Sequence, residues 1–179
     1  MHAAVQGLES AHDHIDKAIR LNHRHLALAA LLAAVCGASQ AQHAKPATQT
    51  IFRAGATPSS NGPAANFDGK VRVDPLFPAG AQGSFSAATV NFEPGARSAW
   101  HTHPAGQYLI VTKGTGWTQT EGGPVEALHA GDAVWCPPGV KHWHGATPTT
   151  AMSHIALTAT RDGKNVEWLE KVSAGQYRR

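Results

Sequence analysis

The feature that most restricts the fold is a series of short β-type runs between Val71 and Thr158. Gly or Pro stands between almost every two of them, and the 179-residue chain holds 18 Gly and 11 Pro. No helical pattern of about 10–15 residues separates the runs, so the sequence predicts an all-β sandwich or barrel and not an α/β fold. The predicted strands are Val71–Phe77, Phe85–Phe92, Ala99–His103, Tyr108–Thr112, Gly116–Thr120, Ala133–Cys136, His142–Ala146 and Ala151–Thr158.

These runs belong to one predicted domain, residues 67–179. Along Phe85–Phe92, alternate residues share one face, and most of the residues on the inward face are small. Small inward residues leave an open interior, as in barrels that hold a small ligand. The tail, Lys164–Arg179, is expected to contain a strand and one short helix.

Residues 1–41 have the pattern of a secretory signal peptide. Basic residues precede the ten-residue apolar run Leu26–Val35, and the small residues Ser39 and Ala41 follow at a spacing that suits cleavage. A membrane-spanning helix needs about 20 residues, whereas the apolar part of a signal needs about 7–15. We therefore expect a protein exported to the periplasm or secreted; the alternative is a short hydrophobic core helix.

Residues 42–66 are predicted to form an N-terminal arm or linker. The segment is rich in Ala, Pro, Ser, Asn and Gly, and its one apolar pair, Ile51-Phe52, is a candidate strand for a sheet edge or a neighbouring subunit.

The charges exclude some partners. The chain has 15 Lys and Arg against 12 Asp and Glu, without a basic cluster, so we expect no nucleic-acid partner, and no membrane partner after cleavage. Cleavage at Ala41 removes Cys36 and leaves Cys136 without a disulfide partner. The apolar surroundings of Cys136 predict a buried, inert thiol.

The histidines carry the strongest chemical signal. Residues two apart on a strand project from the same face, so His101 with His103, and His142 with His144, form two pairs of nitrogen donors. A single His-X-His is usually two surface histidines, but two pairs in one small β domain favour a metal site. His154 is expected to be a core histidine that bonds to a neighbour.

Two spaced motifs in this region resemble those of the cupin superfamily. The first motif, G(X)5HXH(X)3-4E(X)6G, has Gln107 at the position of its Glu, and the second, G(X)5PXG(X)2H(X)3N, has Ala146 at the position of its Asn. The resemblance implies a single-domain double-stranded β-helix, or jelly-roll barrel, with a divalent metal inside. The implied metal ligands are His101, His103, Gln107 and His142. The other matching positions are Gly95, Gly114, Gly131, Pro137 and Gly139.

A neutral amide at position 107 leaves a bound divalent ion its full charge. Such a centre favours Lewis-acid chemistry over oxygen chemistry, unless the exchange weakens the site until it is vestigial. His144 shares the face of His142 and is either a general base above the metal, a fifth ligand or a wall of the pocket.

A closer resemblance is to the bacterial cupin hydroxynitrile lyases, from about Asn66 to the C-terminus. It implies Mn²⁺, in preference to Fe²⁺, Ni²⁺ or Zn²⁺, and cleavage or formation of a cyanohydrin from an aldehyde and HCN with (R) selectivity. It also implies that His144 handles the proton and that Ala88 and Val90 line the substrate pocket. The segments that carry it are Val71–Phe77, Phe92–Pro104, Lys141–Ala146, Pro148–Met152 and Gln176–Arg179.

Two other functions compete with the lyase. One is a cupin dioxygenase or decarboxylase that acts on a small acid or phenol, and the other is a non-catalytic exported module that binds a metal or small molecule. The expected partners are a small-molecule substrate and further copies of the chain in a dimer or tetramer.

Overall fold

The structure is a computed structural model that describes residues 48–80 and 83–178. The predicted signal peptide lies outside these residues, so export stays a prediction. The chain divides into two units at residue 49, and the strands all belong to the unit from residue 50 onward. They are β1 (Ser60–Asn61), β2 (Phe67–Asp68), β3 (Val71–Phe77), β4 (Phe85–Phe92), β5 (Arg97–Ser98), β6 (His101–Thr102), β7 (Gln107–Thr120), β8 (Val125–His129), β9 (Ala133–Cys136), β10 (His142–Ala146), β11 (Met152–Ala159) and β12 (Glu167–Trp168).

The strands pair antiparallel in one curled sheet with the order β1-β3-β4-β11-β7-β10-β5-β2. Strand β7 has 14 residues; its first part pairs with β11 and β9, and its second part pairs with β10 and β8. Gly114 lies where the partners change, with a φ of 75°, and a Cβ there would meet the Ala151 carbonyl. The described residues contain no helix, and hence none that could cross a membrane. The predicted all-β class is confirmed.

The core lies between the two halves of the curled sheet. Its larger cluster includes Phe92 of β4, Val111 of β7 and Met152 of β11. A second cluster joins Trp143 of β10 to the tail, where the Tyr177 hydroxyl donates a hydrogen bond of 2.6 Å to the Ala146 carbonyl. These contacts hold β10 from the face opposite the one that carries His142 and His144.

The structure differs from the predicted elements in several places. The runs Tyr108–Thr112 and Gly116–Thr120 are parts of one strand, β7, and β8 was not predicted. The expected edge strand lies at β1 and not at Ile51-Phe52, although Phe52 does lie near Phe77, with 5.8 Å between ring centroids.

The prediction of a short helix in the tail was wrong. The backbone nitrogen and the hydroxyl of Ser173 bond to the Gln176 side-chain oxygen, which closes a single turn that contains Gly175. Gly175 within the turn disfavours a helix, and the Gln176 side chain satisfies the Ser173 backbone nitrogen without a further helical turn.

Candidate metal centre

Three predicted ligands meet inside the curled sheet. His101 of β6 lies directly opposite His142 of β10 in the strand register, with ring centroids 4.3 Å apart. His103 follows β6, and its ring lies 5.1 Å from that of His101 and 5.4 Å from that of His142. One nitrogen from each ring lies within 4.8 Å of the other two, and all three residues are buried. This spacing allows one ion to contact all three nitrogens.

The hydrogen bonds of these imidazoles select the tautomer that binds metal. Nδ1 of His101 lies 2.9 Å from the Ala99 carbonyl oxygen, and Nδ1 of His142 lies 2.8 Å from that of Val140. Nδ1 of His103 lies 2.5 Å from the carbonyl oxygen of Asn165. Because a carbonyl only accepts, each Nδ1 carries the hydrogen, and each Nε2 of the neutral rings keeps its lone pair for a metal.

Gln107, the first residue of β7, supplies a fourth donor beside these rings. Its side-chain nitrogen donates a hydrogen bond of 2.9 Å to the Thr158 hydroxyl, which fixes the orientation of the amide. Its Oε1, like Nε2 of His103 and of His142, is buried and has no hydrogen-bond partner. Buried polar atoms are normally paired, so these converging acceptors fit a divalent cation.

Burial keeps these imidazoles neutral. It lowers the pKa of His142 to about 4, against the opposing carbonyl of Val140. Burial likewise holds the pKa of His101 well below its ordinary value, with a further contribution from His142, and lowers that of His103. Neutral rings are the form that binds metal. The three clustered imidazoles and the unpaired acceptors beside them together indicate a divalent metal site.

His144 is not one of the three clustered residues, although its ring centroid lies 5.1 Å from that of His101. Its ring centroid is 6.1 Å from that of His142, and its Nδ1 lies 3.2 Å from Nε2 of His154. Its backbone nitrogen donates to the Ser98 hydroxyl over 3.2 Å. Burial holds the pKa of His144 well below its ordinary value. His154 is fully buried and bonded to a neighbour, as predicted.

Four histidines line a cavity of about 590 Å³: His101, His103, His144 and His154. Ala88 and Val90 of β4 line it, at the positions that the resemblance implies. Thr57, from the predicted arm, and Phe67 of β2 line it as well, so residues outside the two motifs complete the pocket.

Sequence reasoning missed the contribution of the C-terminal segment. Asn165 holds His103, and Trp168 of β12 lines the cavity and pairs in register with His101. No motif marks these residues, since they reach the site through the pairing of β12 with β6. Cys136 is buried, as predicted, and burial raises its pKa to about 12.

A curled β-fold with three imidazoles and an amide oxygen facing its interior defines a metal-binding barrel of the cupin type. Residues 88–157 match the Cupin domain family. The chain is 59% identical, over 129 residues, to an (R)-mandelonitrile lyase of Granulicella tundricola, an alignment that covers 72% of this chain and 98% of that protein. The chain belongs to the cupin family, which confirms the predicted family.

Solved structures show the same fold. A cupin-like protein from Thermotoga maritima is 41% identical, with a TM-score of 0.63, over 73% of this chain and 96% of that chain. A cupin-2 domain from Rhodospirillum rubrum is 21% identical, with a TM-score of 0.54, over 70% of this chain and 83% of that chain. The second likeness bears on the fold alone.

Proposed function

We propose that this chain is a metal-dependent lyase that splits a cyanohydrin into an aldehyde and HCN and catalyses the reverse addition. The observation that carries the proposal is the 59% identity to a protein named (R)-mandelonitrile lyase, over 98% of that protein. The arrangement of the cavity and its histidines supports the same chemistry.

We infer that His101, His103, His142 and Gln107 hold Mn²⁺. Imidazole suits several first-row ions, so the donor atoms alone admit Fe²⁺, Ni²⁺ and Zn²⁺ as well. Manganese follows from the resemblance to the cupin hydroxynitrile lyases, whose ligand set is three His and one Gln. A divalent ion bound by neutral ligands supplies Lewis-acid polarisation of the substrate oxygen.

His144 is the residue proposed to move the proton. When its Nδ1 donates to His154, Nε2 keeps a lone pair at the cavity surface. It then takes the proton of the cyanohydrin hydroxyl as the C–C bond breaks and the electron pair leaves with the cyanide carbon. The same nitrogen returns the proton to cyanide, which leaves as HCN.

The cavity wall favours an uncharged substrate. Among the described residues, those that line the cavity include no Lys, Arg, Asp or Glu. Away from the proposed metal ion, a carboxylate would find no side-chain cation in this cavity, so the part of the substrate that lies there is expected to be uncharged. Neutral cyanohydrins and aldehydes need no such partner.

The test is aldehyde release from racemic mandelonitrile at mildly acidic pH, with the full-length chain loaded with Mn²⁺. Chelator-treated protein and a His101→Ala variant are the controls, and parallel samples carry Fe²⁺, Ni²⁺ or Zn²⁺. We expect release that depends on the metal, is fastest with Mn²⁺ and prefers the (R) enantiomer. Bound metal without release above the controls would overturn the proposal.

We also propose that the chain forms a homodimer or a tetramer of such dimers. Tyr108 and Ile110 of β7 and Trp135 of β9 are 46%, 42% and 45% exposed on the outer face of the sheet. Exposed apolar side chains on one sheet face are typical of subunit interfaces, and a second copy of the same face is a matching partner. Sedimentation of the wild type and of a Tyr108→Lys/Ile110→Lys variant tests this: a wild-type monomer would overturn it.

A further inference from the structure

The C-terminal segment 165–172, which we call the strap, crosses the side of the pocket outside the region that matches the Cupin domain family. The backbone nitrogen of Leu169 donates a hydrogen bond of 2.8 Å to the carbonyl of Trp100. Lys171 donates to the carbonyl of Phe67 over 2.7 Å. The strap is thus fixed both to the segment before the metal ligands and to the strand beside the N-terminal arm.

Trp168 is the large side chain that the strap brings to the pocket. It lies opposite His101 in the β12–β6 register, and the two ring centroids are 4.9 Å apart. Phe67 packs edge-on against the indole at 5.4 Å, and both aromatic residues line the cavity. The indole is therefore held in one orientation next to a predicted metal ligand.

The other side of the cavity carries small side chains. Ala88 and Val90 of β4 and Ala156 of β11 line it. These small side chains leave space for a flat group beside the rings of Phe67 and Trp168, and Phe77 of β3 adds a third aromatic ring to the lining. Aromatic rings attract each other beyond the area that they bury, in stacked or edge-on arrangements.

We propose that Trp168 is a specificity-determining residue that selects an uncharged aryl group on the carbon that carries the substrate oxygen. This inference rests on the proposed lyase function for the identity of the reacting group. The indole contacts the aryl ring of the substrate and takes no part in the proton transfer. An alkyl substituent buries similar apolar area but gains no ring–ring attraction, so the indole discriminates between the two.

The first test is binding without chemistry. Benzyl alcohol and 1-hexanol carry the hydroxyl but no nitrile, so neither is cleaved, and calorimetry of the Mn²⁺-loaded full-length protein gives both affinities. Trp168→Leu should weaken benzyl alcohol binding about tenfold and 1-hexanol binding less than twofold. Trp168→Phe should keep most of the aryl preference. The matched control Phe85→Leu, at an exposed aromatic residue outside the cavity lining, should change neither.

The second test is the ratio of kcat/KM for mandelonitrile to that for the cyanohydrin of hexanal. Trp168→Leu should lower this ratio about tenfold while metal content is unchanged. In Trp168→Leu, equal losses for the aryl and the alkyl compound, in binding or in turnover, would overturn the inference. Loss of the aryl preference in Trp168→Phe would overturn it as well. Absence of turnover in the wild type, with a Trp168-dependent aryl preference in binding, would overturn the lyase function and support the aryl subsite.

Discussion

The two His-X-His pairs have the same spacing, yet they are used differently. In the first pair, His101 and His103 both contribute to the three-nitrogen cluster. In the second pair, His142 contributes to it, whereas His144 faces His154 across 3.2 Å. Equal spacing therefore gives a shared face without giving a shared role.

The backbone explains this difference. Strand β6 ends at Thr102, so His103 leaves the strand and is held by the Asn165 carbonyl from the strap. Strand β10 continues to Ala146, which keeps His144 on a regular strand and carries its ring to the β11 side of the interior. The neighbours of each pair thus bring His103 to the three-nitrogen cluster and His144 to His154.

The largest expected effect is that of His103→Ala, in the first pair. Loss of one of three imidazoles should abolish stoichiometric metal binding and lower turnover on the order of 10³-fold, because Lewis-acid polarisation contributes several kcal/mol. Elemental analysis after gel filtration, with aldehyde release on the same sample, measures both. Full metal retention in His103→Ala would show that the second histidine is not an essential ligand in either pair.

His144→Ala, at the equivalent position of the second pair, should keep its metal and lose about 10²- to 10³-fold in kcat, the usual contribution of a general base. The matched control is His129→Ala, since His129 has a 67% exposed side chain and lies outside the cavity. Simultaneous loss of metal and activity would show that His144 is a metal ligand. Both pairs would then have the same role.

The stability of the metal-free protein at acidic pH should depend on His154, which bonds to His144 of the second pair. Burial lowers its pKa from 6.5 to about 4. Between these values the unfolded chain binds the proton and the folded chain does not, so this contribution to stability is complete above pH 6.5 and is lost as the pH falls towards 4. Urea unfolding measures the free energy of unfolding at pH 7 and at pH 4. The decrease between the two should be about 3 kcal/mol smaller in His154→Asn than in the wild type. An equal loss in both proteins would contradict the assignment.

The smallest effect is expected from Gln107→Glu, which adds a negative charge to the proposed metal ligands. The variant should bind metal at least as tightly and lose about tenfold in kcat, because the ion polarises the substrate oxygen less strongly. Lys113→Gln changes the net charge equally on the exposed surface of β7 and is the matched control. Faster turnover in Gln107→Glu would contradict this account of the neutral amide.

The sequence predicted those parts of the site that depend on local spacing. His101, His103, Gln107 and His142 stand at fixed distances in two motifs, and the structure brings all four together. The tautomer of His103 was not predictable, since it depends on the carbonyl of Asn165, which lies 62 residues away. The same holds for the fold: short runs predicted strands, but β7 is continuous because β11 and β10 pair along its whole length.

The strap also sets the order in which the site can be completed during synthesis. Translation delivers both His-X-His pairs well before residue 165, yet His103 is oriented by Asn165, and β10 receives its bond from Tyr177. A nascent chain that ends after β11 has every proposed ligand but lacks the group that fixes one imidazole. The orientation of His103 seen in the structure therefore requires that residue 165 has already been synthesised, so the site is completed later than its proposed ligands are.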